Sequence, residues 1–321
     1  MVARMVWVPA PTPPQGLDAS VEPLVIGASG LVGGAFYRRL KQLGCDPLGT
    51  YHTHPKPELL PLDLSTDRAL DSFDSGIAAR LVVMAGAMTH VDRCETHPDE
   101  ARRQNVENVG RVVEWCRKHE RPLVFFSTDY VFDGHAGPYA EDAPTRPLSV
   151  YGRTKLEAEA LVLTLPRSVV LRITNVFDIG LDDRNFVHRC VTSLRDRRSL
   201  VVPSDQVATP AYASWLAEQT VTLWERGAIL CPASPRLLHV GCDENVSRGE
   251  LARRVARLLG ADASLIEERP TAALGQAAPR PLRGGLRNAA WKQLLGVERL
   301  SLDDALHDVL PRMRRLYAGE D

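Results

Sequence analysis

An excess of charge of either sign is missing from this 321-residue chain: 39 Lys and Arg stand against 40 Asp and Glu, for a formal net charge of -1. That leaves no basic surplus for nucleic-acid phosphates and no block of like charge. Long apolar runs are also missing. Stretches such as "RLVVMAGAM" are far too short to cross a bilayer. The six cysteines, Cys45, Cys94, Cys116, Cys190, Cys231 and Cys242, form no C-x-x-C pair and no metal-ligand spacing. They read as reduced thiols of a cytoplasmic protein, and no metal site is expected. The first 22 residues hold a four-residue apolar patch and then prolines, too little for the apolar centre of a signal peptide. They are expected to form an N-terminal extension. No nucleic-acid or membrane partner is expected; the chain is expected to act on a small-molecule substrate, as a monomer or homodimer.

What is present is rhythmic. "PLVIGASGLVGGAFYRRLKQLG" is a β-branched run, a Gly-rich turn and a helix with Leu31, Phe36, Leu40 and Leu43 near one face before Gly44 ends it. "CDPLGTYH" predicts a second strand. "ELLPLDLS" leads to Asp63 and a helix starting near Thr66, and "ARLVVMAGA" is a further apolar strand. A long helix is expected from Pro98 to about His119, burying Val106, Val109, Val112, Val113 and Cys116. Strand "RPLVFFST", helix "SVYGRTKLEAEALVLTL" and strand "RSVVLRITNVF" follow. Later, Ser247 and Glu250 form a capping box for another helix. Strands that are apolar throughout and alternate with helices indicate a parallel sheet covered on both faces. The expected fold class is α/β: a Rossmann-type doubly wound parallel sheet with a smaller C-terminal lobe. Residues 23–178 would form the sheet domain and 179–321 mainly the lobe, with about 211–240 returning to the sheet. Such a sheet binds ligands at the carboxyl ends of its strands, which is where Gly27, Asp63, Ala87, Thr128 and Asn175 fall.

"GASGLVG" spaces Gly27, Gly30 and Gly33 as G-x-x-G-x-x-G between a strand and a helix. Glycines let the backbone approach a pyrophosphate, and the helix N-terminus adds N–H groups and partial positive charge. A tight turn without ligand is the simpler use of three glycines. The strand before, the helix after and the parallel rhythm select dinucleotide binding, with Ser29, Leu31 and Val32 in the same turn. An acid at the end of the second strand would favour NAD. That strand ends "GTYHTHP", offering Tyr51 and His52 but no Asp, Glu or Arg. The barrier against a 2′-phosphate is gone without a strong lock in its place. NADP(H) is the expected cofactor, with NAD(H) possible.

In "YGRTK", Tyr151 and Lys155 are four residues apart, which on a helix puts them on one face about 6 Å apart at Cβ. A nearby ammonium favours the phenolate and lowers the phenol pKa, and such a phenol can exchange a proton with a carbonyl or alcohol. Alone, the pair reads as an ordinary surface-helix pair. With the glycine turn and the strand-end Ser127-Thr128 it reads as an active site in which Thr128 holds the carbonyl oxygen.

These segments together resemble the extended short-chain dehydrogenases/reductases, and within them the dTDP-4-dehydrorhamnose reductase family. The resemblance is carried by "GASGLVG", "MAGAMTHVDRCE", "NVENVG", "STDYVFDG", "YGRTKLEAE", "LRITNVF", Asn185-Phe186, "DQVATPAYA" and "RPLRGGL", from about Leu24 to Leu286. It implies reduction of a nucleotide-linked 4-keto-6-deoxy sugar. Tyr151 would be the general acid, Lys155 would lower its pKa and bind the nicotinamide ribose, and Thr128 would orient the carbonyl. Asp63 and Leu64 would lie by the adenine, and Ala85, Gly86 and Ala87 along the dinucleotide, with Thr174 and Asn175 near its reactive end. Asn105 would support the site from its helix or make a structural hydrogen bond. Thr89, Val91, Asp129, Tyr130, Asn175, Asn185, Phe186, Gln206, Arg280 and Arg283 would face the sugar nucleotide. The chain departs from the family in "MAGA", where an Asn- or His-led segment is commoner, and in Ala208, which replaces a glycine. The same resemblance covers sugar-nucleotide epimerases, secondary-metabolite ketoreductases and a non-catalytic relative, the regulatory β subunit of methionine adenosyltransferase.

Overall fold

Leu24, Val25 and Ile26 are buried on both sides of the chain and form an interior strand of a sheet. The computed structural model describes residues 22–66, 68–73, 80–180 and 185–318. Apart from Glu22, the expected N-terminal extension lies outside them. The strands in chain order are β1 (Leu24–Ile26), β2 (Leu48–Tyr51), β3 (Leu60–Pro61), β4 (Val82–Met84), β5 (Leu123–Thr128), β6 (Ser168–Ile173), β7 (Leu200–Pro203), β8 (Val207–Ala208), β9 (Leu237–His239), β10 (Val246–Ser247) and β11 (Ile266–Arg269). The helices are α1 (Leu31–Gln42), α2 (Val91–Thr96), α3 (Pro98–Arg102), α4 (Asn108–Lys118), α5 (Val150–Val162), α6 (Phe186–Arg195), α7 (Ala213–Glu225), α8 (Arg248–Leu259), α9 (Ala289–Leu295) and α10 (Leu302–Ala318).

Seven strands pair in the order β3-β2-β1-β4-β5-β6-β9. Every pairing is parallel, with Leu24 opposite both Leu48 and Val82, and Thr128 opposite Ile173. This is the doubly wound α/β fold. Strands β1, β4, β5 and β6 are buried along their whole length, because helices cover both faces. On one face, Phe36 and Leu40 of α1, Leu216 and Val221 of α7 and Trp291 of α9 pack on Val25, Val83 and Val124. On the other, Val109, Val112 and Cys116 of α4 and Ala158 and Val162 of α5 pack on Leu24, Val82 and Phe125. Each buried Val, Leu or Phe among them contributes about 1.5–3 kcal/mol. A further core joins Val187 and Leu194 of α6, Leu251 and Val255 of α8, and Leu306 and Val309 of α10 to Leu200 and Val202 of β7.

Two expectations are corrected. Where a helix was expected from Thr66, the described residues hold only a 3-10 turn at Asp71–Phe73; residues 67 and 74–79 lie outside them. The long helix from Pro98 is real but not uniform: a π segment, Arg103–Glu107, joins α3 to α4. The short strand β3 was not foreseen. Both its residues are exposed, and Pro61 is tolerated because β3 is the sheet edge. Among the described residues no helix is long and apolar enough to cross a membrane, and no cluster of metal-ligating side chains is found.

Candidate active site

The glycines of the first turn divide by what surrounds them. Gly27 has φ +83, and a Cβ there would lie 2.6 Å from Gly86 N. At Gly33 a Cβ would lie 2.2 Å from Gly27 O. Both are required for the close packing of turn, helix and β4. Gly30 differs: its φ is -83, and an added Cβ would meet only Gly27 O, at 3.4 Å. The fold does not need a glycine there, yet Gly30 borders two adjoining cavities. Helix α1 begins just after it, with no side-chain cap and no acid in its first turn. Gly34 N makes the first bond back, to Gly30 O at 2.8 Å. Gly30 N is taken by Gly27 O at 3.0 Å, and the N–H groups of Leu31, Val32 and Gly33 have no intrahelical partner, an arrangement that suits a phosphate.

One cavity, about 370 Å³, runs from this turn past Tyr51, His52 and Leu64 to Ala85, Gly86 and Ala87. The other, about 330 Å³, holds Thr128, Tyr151 and Lys155. Gly30, Met84, Ala85, Ala87 and Thr89 line both, so they form one groove along the carboxyl ends of the strands.

Three local features place the reacting groups. Thr128 is the last residue of β5, and its Oγ1 accepts from Tyr130 N at 3.2 Å. Ser149 Oγ caps α5, accepting from Gly152 N at 3.2 Å. Gly152 allows α5 to approach the "DYVF" turn, since a Cβ there would sit 2.2 Å from Tyr130 O. The Tyr130 and Tyr151 rings therefore meet edge-on at 5.5 Å. Lys155 Nζ lies 4.0 Å from the centre of the Phe125 ring.

Electrostatics here depart from the simple Tyr–Lys expectation. Burial pushes the Tyr151 phenol well above its ordinary range, with the Thr128 hydroxyl acting in the opposite direction. Burial likewise lowers Lys155 from 10.5 to about 7, against the opposing charge of Glu159. Loss of water disfavours both charged forms. Burial outweighs the expected lowering of the phenol by the ammonium.

The groove brings together most of the residues singled out from sequence. Gly27, Ser29, Tyr51, His52 and Leu64 line its first half; Leu31, Val32, Val91, Thr174, Asn175, Asn185 and Phe186 line its second. Asn175 has φ +46, a left-handed backbone that Asn tolerates better than most residues. Others are used elsewhere. Asp63 is exposed and accepts from Ser65 N at 2.9 Å, so Leu62 and Leu64 form the wall at that level. Asn105 is fully buried: it accepts from Met88 N at 2.8 Å and donates to Met88 O at 3.1 Å and Thr154 Oγ1 at 3.3 Å. That clamps the loop after β4 onto α5. Asp129 accepts from Gly285 N at 3.3 Å, tying the turn after β5 to the 284–285 loop. Gln206 donates to Thr271 at 3.0 Å. Arg280 Nη2 pairs with Asp92 at 2.8 Å, and Arg283 is exposed. None of these last six lines the groove. Sequence reasoning missed Arg248, the first residue of α8, which does line it. One clue was available: a cation is disfavoured in the first turn of a helix, so its presence there calls for a reason.

Comparison with known proteins agrees with this fold. A sequence model of the RmlD substrate binding domain matches residues 22–315. A probable dTDP-4,6-dihydroxy-2-methyloxan-3-one 4-ketoreductase of Streptomyces antibioticus is 34% identical over 272 residues, 84% of this chain and 88% of that protein. The methionine adenosyltransferase 2 subunit beta of Danio rerio is 27% identical over 294 residues, 89% of each chain. The solved structure of a dTDP-4-dehydrorhamnose reductase from Clostridium acetobutylicum superposes with a TM-score of 0.80 at 26% identity, covering 92% of this chain and 100% of that one. The chain belongs to the family defined by the RmlD substrate binding domain.

Proposed function

We propose that the protein is an NADPH-dependent reductase of the C4 ketone of a nucleotide-linked 4-keto-6-deoxy sugar, with NADH as a weaker substitute. The observation that carries this reading is the continuous groove. Thr128, Tyr151 and Lys155 lie at one end, and the uncapped α1 N-terminus beside Gly30 lies along it. The family's named reductases support the same direction. In this reading residues 23–178 hold the dinucleotide and 179–321 mainly the substrate, with 211–240 serving the first domain.

The residues present fit a dinucleotide. The α1 N–H groups would take its pyrophosphate, Gly30 leaves room for it, and Lys155 would meet the nicotinamide ribose. The bound nicotinamide would supply the hydride. Reduction of the ketone also needs one proton, and Tyr151 gives it to the carbonyl oxygen. Its raised pKa keeps the phenol protonated at neutral pH, which is the state an acid must hold. Thr128 orients the oxygen and steadies the phenolate left behind. Lys155, titrating near 7, adds positive charge beside that phenolate.

The test is loss of NADPH absorbance across nucleotide 4-keto sugars, with the product stereochemistry read by NMR. A second reading, a non-catalytic NADP-binding subunit, is favoured by the similarity to the zebrafish subunit. It predicts no turnover with any sugar and recovery of methionine adenosyltransferase in a pull-down. Tightly held NAD in the purified protein would instead indicate an epimerase on the same scaffold.

A further inference from the structure

Among the described residues, Arg248 sits in the groove without a counter-ion. Its guanidinium carbon lies 4.6 Å from the centre of the Phe186 ring, and it lines the same cavity as Tyr130, Tyr151 and Lys155. Its backbone N–H is taken by Gln206 O at 3.2 Å. Among the described residues its side chain has no hydrogen-bond or ion-pair partner. Among the described residues, a carboxylate that acts on it is Asp129, which is occupied by Gly285 N at 3.3 Å and Thr128 at 3.4 Å. Burial also drives Asp129 toward its neutral form. Arg189, also within reach, repels. Arg248 is half-buried, and a cation partly withdrawn from water without a partner carries a cost that an anion would relieve. The Phe186 ring carries the guanidinium over its face, a cation–π contact that uses none of the guanidinium's N–H donors, and a guanidinium suits a bidentate acceptor. Phe186 is itself positioned by Asn185, whose Nδ2 donates to Asp178 O at 2.6 Å and whose Oδ1 caps α6.

The other arginine near Tyr130 does not line the groove and is engaged through one nitrogen, its Nη1 being buried without a hydrogen-bond partner among the described residues. The Arg280 side chain is 8% exposed and its Nη2 holds Asp92 at 2.8 Å; Asp92 also accepts from Ala278 N at 2.9 Å. Arg280 thus clasps the 278–280 loop onto α2. The cofactor's pyrophosphate has the α1 N-terminus, so the free charge of Arg248 answers to the other ligand.

We propose that Arg248 anchors an oxyanion of the substrate, the diphosphate of the sugar nucleotide, while Arg280 serves mainly as a clasp. This rests on the reading of the groove as a nucleotide-sugar site. A sugar carboxylate shares the same chemistry, so the test separates the two sources. Calorimetry on the full chain with NADPH bound would compare dTDP, UDP, thymidine and glucuronate. The proteins are wild type, Arg248→Gln, Arg248→Lys and Arg280→Gln. The expected result is a ten- to hundredfold loss of nucleoside-diphosphate affinity in Arg248→Gln, partial rescue in Arg248→Lys, and unchanged thymidine affinity. NADPH affinity and thermal midpoint should hold in Arg248→Gln, whereas Arg280→Gln should lower the midpoint. Equal diphosphate affinity in wild type and Arg248→Gln overturns the inference. So does failure of wild type to bind either diphosphate, or a loss confined to glucuronate. Arg248-dependent diphosphate binding without turnover of any keto sugar would overturn the reaction and leave the anchor standing.

Discussion

Replacing Lys155 with methionine should make the ligand-free protein more stable, and the gain should shrink as pH rises. Lys155 is 3% exposed, and its pKa falls from 10.5 to about 7 on folding. Between those values the unfolded chain holds a proton that the folded chain has lost, so native stability rises with pH across that window. Below pH 7 the full cost of the buried amine applies. A fall of about 3.5 pH units at 1.36 kcal/mol each is about 5 kcal/mol. The same linkage leaves about 4 kcal/mol at pH 7.5, about 2 at pH 9 and almost nothing above 10.5. Methionine has a similar length, no charge, and packs well beside an aromatic ring such as Phe125. Glu159 would not be stranded, because Arg172 holds it through Nε at 2.9 Å and Nη2 at 2.7 Å. Allowing for imperfect repacking, Lys155→Met should gain about 2–4 kcal/mol near pH 6.5. Urea unfolding of the cofactor-free protein at pH 6.5 and 9.5 measures this directly, with equal m-values as the control. A variant less stable than wild type at pH 6.5, or a gain that does not shrink by pH 9.5, would refute the assignment of Lys155 as a charge buried at a cost.

Gly30→Val should abolish NADPH binding while keeping the thermal midpoint, because the fold leaves space at that Cβ. Gly33→Ala should unfold the turn, since its Cβ would lie 2.2 Å from Gly27 O. Calorimetry and thermal melts distinguish these outcomes, and wild-type NADPH affinity in Gly30→Val would remove the turn from the cofactor site. Tyr151→Phe should keep substrate affinity and lose about a hundred- to ten-thousandfold in rate. Thr128→Val should cost less, about 1–3 kcal/mol of barrier. Stopped-flow traces that show full turnover in Tyr151→Phe would move the proton donor elsewhere. NADPH should be preferred over NADH by less than about a thousandfold, or about 4 kcal/mol, because β2 ends at Tyr51 and runs into His52, Thr53 and His54 with neither acid nor arginine, and Arg93, which lines the same cavity, is paired with Glu100 at 3.0 Å. A larger ratio of kcat/KM values would reveal a dedicated ribose contact.

Much of the fold was legible because β1, β4, β5 and β6 are buried on both faces and so read as unbroken apolar runs. Strand β3 left no such trace: it has two residues, both exposed. The π segment was also hidden, because one wide turn barely disturbs a helical periodicity that continues through Val109, Val112 and Cys116. At the groove, Thr128, Tyr151 and Lys155 were legible from short spacings on adjoining elements. Carboxylates were harder to place. Asp63 and Asp129 stand near strand ends, but their oxygens go to the N–H groups of Ser65 and Gly285, one a local bond and the other 156 residues away. Arg248 reaches the groove only because α8 packs against α6, a contact no local pattern announces.

The π segment also has a consequence for chain length. Its bonds run from each residue to the fifth along, so the turn holds one residue more than an α-helix needs there. Removing one residue from Arg103–Glu107 would let the turn close as ordinary helix with α3 and α4 still in phase, so the apolar stripe of α4 would keep its seat on the sheet. A deletion elsewhere in the same helix would rotate everything beyond it by about 100°. What the shortened turn would lose is the wide loop that carries Asn105 to Met88 and Thr154. The extra residue is therefore the one place along this helix where the count of amino acids can change at the expense of the groove and not of the sheet.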